Sequence, residues 1–308
     1  MPRALAVLLL LTLPAVPAAA QTFETAGARA LGMGGAFVGV ADDATAIWWN
    51  PAGLATGGFF GLSVEHHRFE QDRRGFGVPG PSQRSSFFLG AGSLPIGLSY
   101  VRTRETYVTP GPADEPLTRD LVTHQAGLTV LQSLSDTIVV SGTLKYVRGV
   151  AATGLEGTEL DGQGGNAFDA DLAMMAVAGD LKVGVTVKNL TSPSFDAPDG
   201  TRLQLPWRAR AGASYLAMPN LTMAVDFDLW TRNSGIDRQR MLAVGGEYRL
   251  ARAALRAGAR FDTVGNVNPL GTVGGSYAVR NGVWVDVWAA AGPREAERGW
   301  GLAGRVVY

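Results

Sequence analysis

Cysteine is absent from this 308-residue chain, so no disulfide holds it together. That fits an oxidising compartment in which stability does not rest on such bridges. Past the N-terminus no apolar run approaches the ~18 residues of a spanning helix, which excludes helical membrane spans. Neither charge sign is in excess: 27 basic and 27 acidic side chains give a formal net charge of zero. The cations are nearly all arginine and form no block or stripe, so nothing points to a nucleic-acid partner. Histidine is scarce, limited to His66, His67 and His124. Neighbouring residues of a strand face opposite ways, so His66 and His67 cannot share one ion, and no metal site is expected. No Ser/His/Asp constellation can be assembled, so neither enzymatic activity nor a cofactor is expected. Gly32, Gly34 and Gly35 complete neither the G-x-G-x-x-G nor the P-loop pattern. The stretch 161–171, DGQGGNAFDAD, lacks calcium-loop spacing and reads as a solvated loop.

What is present begins with an export signal. Arg3 supplies a basic start, Ala4 to Leu13 a short apolar core, and Ala18-Ala19-Ala20 the small residues of a cleavage site before Gln21. Residues 1–20 are therefore expected to be a cleaved signal peptide. The apolar core is too short and too interrupted by Pro14 and Pro17 to anchor the chain as a helix. Glycine is abundant, with 41 residues, and Pro and Asn-Gly punctuate the chain, which favours many short strands.

From residue 58 onward, side chains alternate with a period of two. Leu181, Val183, Val185 and Val187 alternate with Lys182, Gly184, Thr186 and Lys188; Leu221 to Leu229 and Leu255 to Phe261 repeat the pattern. Each such segment has one apolar and one polar face. About 14 strands are expected between residues 58 and 308, at 58–69, 84–93, 96–107, 119–131, 137–149, 167–178, 181–190, 203–215, 221–231, 239–249, 254–263, 270–279, 283–291 and 299–308. Long connections (70–83, 108–118, 150–166, 191–202) alternate with tight ones (Leu94-Pro95, Gly179-Asp180, Asn281-Gly282). A soluble sandwich also alternates, but an even number of strands with turns short at one end and long at the other is the mark of a transmembrane antiparallel β-barrel. Tyr215, Tyr248, Tyr277 and Tyr308 fall near the lower ends of alternate strands on the apolar face, as a membrane–water interface selects. Trp300, Leu302, Val306 and Tyr308 share one face of the last strand. This resembles the signature read by the barrel-assembly machinery, with Tyr308 as the assembly signal. Arg102 and Arg104 share parity with Leu98 and Tyr100, which requires either a bulge or arginines lying above the lipid.

Residues 21–57 do not alternate. Small residues dominate them, so backbone can pack against backbone. Asp42 and Asp43 are expected to cap a helical turn over Ala44 to Trp48, and Asn50-Pro51 to make a turn. The stretch GARALGMGGAFVGVADDATAIWWNPAGLA resembles the N-terminus of the FadL-type outer-membrane transporter superfamily, including its PorV/PorQ branch. GTLKYVRG, AFDADLAMM, GVTVKNLT, LPWRARAGASY and LRAGARF are similar to strand segments of that branch, and the short outer connections bring the chain nearer to it than to the longer transporters. The resemblance implies a 14-stranded barrel holding an N-terminal plug, with Asn50, Pro51 and Ala52 matching the family's NPA motif. Trp48, Trp49, Asn50, Pro51 and Ala52 are thus the expected gate.

The inward faces carry both signs: Asp169, Asp171, Lys182, Lys188, Arg208, Arg210, Asp226, Asp228, Glu247, Arg249, Arg256 and Arg260, with Asp286 and Arg305. Two readings stay open, a polar route and structural pairing across a narrow lumen. Buried charges must be paired or wetted, and the balance of signs argues against strong ion selectivity. The resemblance implies a passive channel for small hydrophobic molecules in the outer membrane of a Gram-negative-type bacterium, in contact with its lipid. Its PorV/PorQ side implies instead a barrel serving protein secretion or cell-surface attachment through secretion-system proteins, and a purely structural barrel is the third reading.

Overall fold

The computed structural model describes residues 18–19 and 23–308, except 73–80, 111–114, 156, 234–237, 265–268 and 294–296. Most of the expected signal peptide and its cleavage site before Gln21 lie outside the described residues. Fourteen strands close into one antiparallel barrel. In chain order they are β1 Phe60–Asp72, β2 Pro81–Ser93, β3 Ile96–Pro110, β4 Pro116–Ser133, β5 Ile138–Leu155, β6 Asp161–Ala178 and β7 Leu181–Lys188. There follow β8 Arg208–Met218, β9 Leu221–Asp228, β10 Met241–Arg249, β11 Ala253–Asp262, β12 Leu270–Arg280, β13 Val283–Ala291 and β14 Arg298–Val307. Each strand pairs with the next, and β14 pairs with β1 to close the seam. Closure leaves no unpaired edge on the barrel.

The alternation sets the radial order. Outward residues such as Leu98, Leu144, Leu172, Leu255 and Leu302 are exposed, while the residues between them are buried. Such a band of bare leucines has to meet an apolar medium. Tyr215, Tyr248, Tyr277 and Tyr308 are all exposed on the outward face, at the lower end where the connections are tight. The pairings of β3 with β2 and β4 run without a register break from Ile96 to Thr106. No bulge therefore turns Arg102 and Arg104; they stand on the outward face above Leu98 and Tyr100.

Two expectations are corrected here. Residues 161–171 are not a solvated loop: they form the upper half of β6, paired with β5 from Ala176 to Asp161. Gly162, Gly164 and Gly165 carry no side chains to alternate, which hid the strand. The long connection expected at 150–166 shrinks to 156–160 as a result. The strand expected at 203–215 starts at Arg208. Its first residues instead make a short pair, Arg202–Gln204 against Ser194–Asp196, and Ala18–Ala19 adds to it in parallel. Phe195, Leu203 and Leu205 of this connection bury themselves against Tyr107, Leu121 and Val147 at the upper end of the barrel.

Candidate functional site

Residues 23–57 lie within the ring of strands and are almost wholly buried. Their elements are short: α1 Ala28–Gly32, α2 Ala46–Trp49 and a 3-10 turn Pro51–Thr56. No piece is long enough to be stable as an isolated helix, so the wall must supply the order. Asp43 caps the turn that begins at Ala44 and leads into α2, its carbonyl accepting from the Ala46 N–H at 2.9 Å. Its carboxylate accepts from the Thr45 N–H at 2.9 Å and the Thr45 hydroxyl, and α2 starts at Ala46. Asp42 turns instead toward Arg29.

The two tryptophans tie the segment to itself. Trp48 Nε1 donates to the Phe23 carbonyl at 2.7 Å, and Trp49 Nε1 to that of Ala26 at 2.9 Å. Phe23 and Phe37 pack on the Trp49 ring at 5.5 and 6.1 Å. Lys188 of β7 donates to the Trp48 backbone carbonyl at 2.9 Å and lies 3.0 Å from its ring centroid, so one wall cation holds that residue at backbone and side chain. Asn50 donates through Nδ2 to Val38 O at 3.0 Å and to Met174 O of β6 at 3.1 Å. It therefore joins two turns of the segment to the wall. Pro51 opens the 3-10 turn, where a missing N–H costs nothing, and Ala52 is fully buried behind it.

Contact with the wall is close because the wall carries glycine where the segment touches it. A Cβ on Gly184 would overlap the Asn50 amide and the Val38 carbonyl. One on Gly245 or Gly258 would overlap the backbone of Met33, and Gly32 meets Gly274 with only their backbones between. Around these notches the charges pair. Glu65 of β1 accepts from the N–H groups of Gly27 and Ala28 at 2.6 and 3.0 Å. Asp226 of β9 accepts from those of Phe37 and Val38, both at 2.9 Å. Arg29 reaches Glu247 of β10 at 2.7 and 2.8 Å and Asp43 at 3.1 Å, and it also pairs with Asp42. Glu247 in turn holds Arg249 at 2.7 Å and Arg256 at 2.6 Å; Asp286 stands 3.7 Å from Arg256 and 3.1 Å from Arg305. Burial works to raise the Glu24 carboxyl, but Arg210, Arg260 and Arg208 outweigh it and hold the group well below the usual carboxylate range. Asp42 is lowered in the same way, burial opposing and Arg29 and Lys182 prevailing.

The inward residues anticipated from sequence thus fall into four groups. Lys182, Lys188, Arg210, Asp226, Glu247 and Arg249 touch the inner segment, Lys182 through Thr56 at 3.0 Å. Asp169 and Asp171 do not; they clasp Lys145 at 2.7 and 2.6 Å. Arg260 pairs with Glu297, and Arg256 supports Glu247. Arg208 and Asp228 line a pocket at the upper end. Sequence reasoning missed Glu24, Arg29, Glu65, Arg84 and Glu297. The one available signal was that Glu24 and Arg29 are isolated charges in a segment of small residues.

That pocket, about 410 Å3, is bounded by Pro206, Trp207, Trp230 and Met241, with Arg210 and Asp228 on its polar side. Trp207 and Trp230 meet edge to face at 5.0 Å. Glu24 of the inner segment is part of its lining and binds Arg210 at 2.8 Å, while Arg210 holds Asp228 at 2.7 Å. The segment therefore forms part of the boundary of this pocket. Among the described residues, no group of three or more His, Asp or Glu side chains is placed to hold a metal ion.

No protein-family model matches this chain, and no curated protein matches it. Its fold, however, is that of several solved structures. The CymD monoaromatic hydrocarbon channel superposes with a TM-score of 0.69 at 13% identity, over 92% of this chain and 98% of that one. The toluene transporter TodX of Pseudomonas putida gives 0.63 at 11% identity, over 92% and 97%. A Pseudomonas aeruginosa FadL homologue gives 0.60 at 11% identity, over 90% and 97%.

Proposed function

We propose that the mature chain is an outer-membrane channel through which small hydrophobic molecules diffuse, and that residues 21–57 plug it and act as its gate. The observation that carries this is Glu24, which belongs to the inner segment and bounds the tryptophan-lined pocket at the barrel's upper end. A molecule settling there lies against the element that must move for it to pass. One side of the pocket, formed by Pro206, Trp207, Trp230 and Met241, is apolar and can receive such a ligand, while Glu24, Arg208, Arg210, Asp228 and Asp262 make the facing side charged and would orient it. Two proteins that share the fold, CymD and TodX, are named as monoaromatic hydrocarbon channels, and TodX also as a toluene transporter, which supports the same ligand class here. The tight turns face the periplasm and the longer connections the outside, as is general for such barrels. Residues 1–20 are removed on export.

The wall charges serve mainly to dock the plug. Each one that reaches it is matched by an opposite charge, an N–H or, for Lys182 and Lys188, a hydroxyl or carbonyl oxygen, so a continuous polar path would have to break these contacts. The PorV/PorQ-like reading draws on one feature, the short link 156–160 between β5 and β6, and predicts secretion cargo that co-purifies with the barrel.

The test is flux. Wild type and a deletion of residues 27–52 are reconstituted in liposomes, and each is checked for heat-dependent gel mobility. Uptake of a small apolar dye is then measured. The proposal expects faster uptake through the folded deletion. Equal uptake by both would leave the segment a packing element and remove the case for transport.

A further inference from the structure

The outward wall of β2 to β6 departs from a smooth apolar surface. Ala126 of β4 sits in register between Tyr100 of β3 and Tyr146 of β5. Its small side chain leaves a groove of about 590 Å3, lined by Ala91, Leu98, Leu128, Leu144 and Phe168 besides the two tyrosines. At ~30 Å3 per water this is room for roughly twenty water molecules, far more than a notch between side chains. The lining is almost entirely apolar, so water gains little there.

Immediately above the groove the wall changes character. The next outward row, read across the strands, is Phe87, Arg102, His124, Arg148 and Asn166. Adjacent strands lie ~4.8 Å apart, so the arginines flank His124 within reach of one bound group. Tyr100 and His124 Nδ1 share a hydrogen bond at 2.7 Å, and Tyr146 donates to Asn166 at 2.9 Å. The tyrosines thus stand with rings beside the groove and hydroxyls in the polar row, the posture of aromatics at a membrane interface. Nearby outward arginines have carboxylate partners: Arg104 pairs with Asp120 at 3.0 Å and Arg68 with Glu70 at 3.0 Å. Among the described residues Arg102 and Arg148 have no such partner. Two uncompensated guanidinium groups directly over an apolar trough complement a molecule that is anionic at one end and aliphatic at the other.

We infer that this face binds one phosphorylated lipid of the surrounding leaflet, an acyl chain in the groove beside Ala126 and the phosphate held between Arg102 and Arg148. Arginine suits phosphate because its planar fork donates two parallel hydrogen bonds, and basic side chains at a membrane surface favour anionic headgroups. The inference rests on the barrel being embedded in a membrane, not on its transporting anything, so a null result in the flux test leaves it standing.

The full chain, purified in mild detergent and checked for heat-dependent gel mobility, is offered dioleoyl phosphatidate or dioleoyl phosphatidylcholine in trace amounts. Retained lipid is counted by native mass spectrometry. Wild type should retain roughly tenfold more phosphatidate than phosphatidylcholine. Arg102→Gln with Arg148→Gln should abolish that preference, while Arg104→Gln, whose arginine already has Asp120, should keep it. Ala126→Trp, which fills the groove without touching the charges, should lower retention of both lipids. Millimolar inorganic phosphate should not displace bound phosphatidate. Equal retention of the two lipids by wild type overturns the inference, as does a preference that survives in the double variant. Displacement by free phosphate together with no effect of Ala126→Trp would mean an anion site without a lipid, and also overturns it.

Discussion

Arg29 and Glu247 face each other through two hydrogen bonds, Nε to Oε2 at 2.7 Å and Nη2 to Oε1 at 2.8 Å, across 218 residues of sequence. Both side chains are buried, and the same arginine also gathers Asp42 and Asp43. Removing one member of such a pair strands the others without compensation, which typically costs about 3–5 kcal/mol. Arg29→Ala is expected to undock the inner segment while the strand ladder stays intact. The heat-modifiable gel shift should persist, and protease should cut within residues 27–52. A segment that stays protected would show that the glycine contacts alone suffice to hold it.

Asn50→Ala removes the donor to Val38 O and Met174 O. The buried Val38 carbonyl and the partly buried Met174 carbonyl then lose a partner, a loss of about 1–3 kcal/mol. The expected result is faster dye uptake at an unchanged barrel melting transition. Uptake equal to wild type would assign Asn50 to the turn alone.

Glycine replacements should separate contact from strand propensity. Gly258→Ala places a Cβ into the Met33–Gly34 backbone, whereas nothing lies within 4 Å of a Cβ at Gly304. Gly258→Ala should raise uptake and proteolysis, and Gly304→Ala should change neither. Equal behaviour of the two variants would mean that the segment shifts freely and makes no fixed contact.

Acid should act late. Glu24 and Asp42 have lowered pKa values in the docked state, so their contribution is complete above their unfolded values, 4.5 and 3.8, and fades as pH falls through the lower docked values. Protonation of Glu24 and Asp42 should therefore loosen the segment and raise dye uptake only in acid stronger than about pH 4.5. A rise already complete at pH 4.5 would contradict these assignments.

Tyr308 is exposed, and its backbone still exchanges two 2.9 Å hydrogen bonds with Phe60 at the seam. Tyr308→Ala keeps both bonds. It should lower the amount of barrel assembled in cells more than it lowers the stability of refolded protein in detergent. Normal assembly of the variant would remove the side chain's role as a recognition handle.

How far the sequence could be read depended on whether the relevant contact was local. Strand β7 was legible because Leu181 to Lys188 alternates without a break. The upper half of β6 was not, since its glycines erase the alternation and only pairing with β5 makes them a strand. For the inner segment, small residues suggested close packing, but Gly184 and Gly258 look like any strand glycine until Asn50 and Met33 are seen above them. The inward parity of Glu247 could be foreseen from Leu242 and Val244; its partner Arg29 could not, because no periodicity links residues so far apart. Charge type carried the least information of all. Lys145, Asp169 and Asp171 make a closed cluster, whereas Lys188 binds a tryptophan, and nothing in their strand patterns tells the two fates apart.

The order of assembly follows from where the inner segment finds its partners. It precedes β1, yet its anchors stand on β1, β6, β7, β8, β9, β10 and β12. Contacts of such sequence separation form slowly, because the chain between them must be ordered first. The segment can therefore settle fully only after most of the wall exists. Once β14 meets β1, it is enclosed. A barrel that closed in the wrong register would offer it misaligned notches and unmatched charges, and the segment would thereby act as a proofreader of its own container.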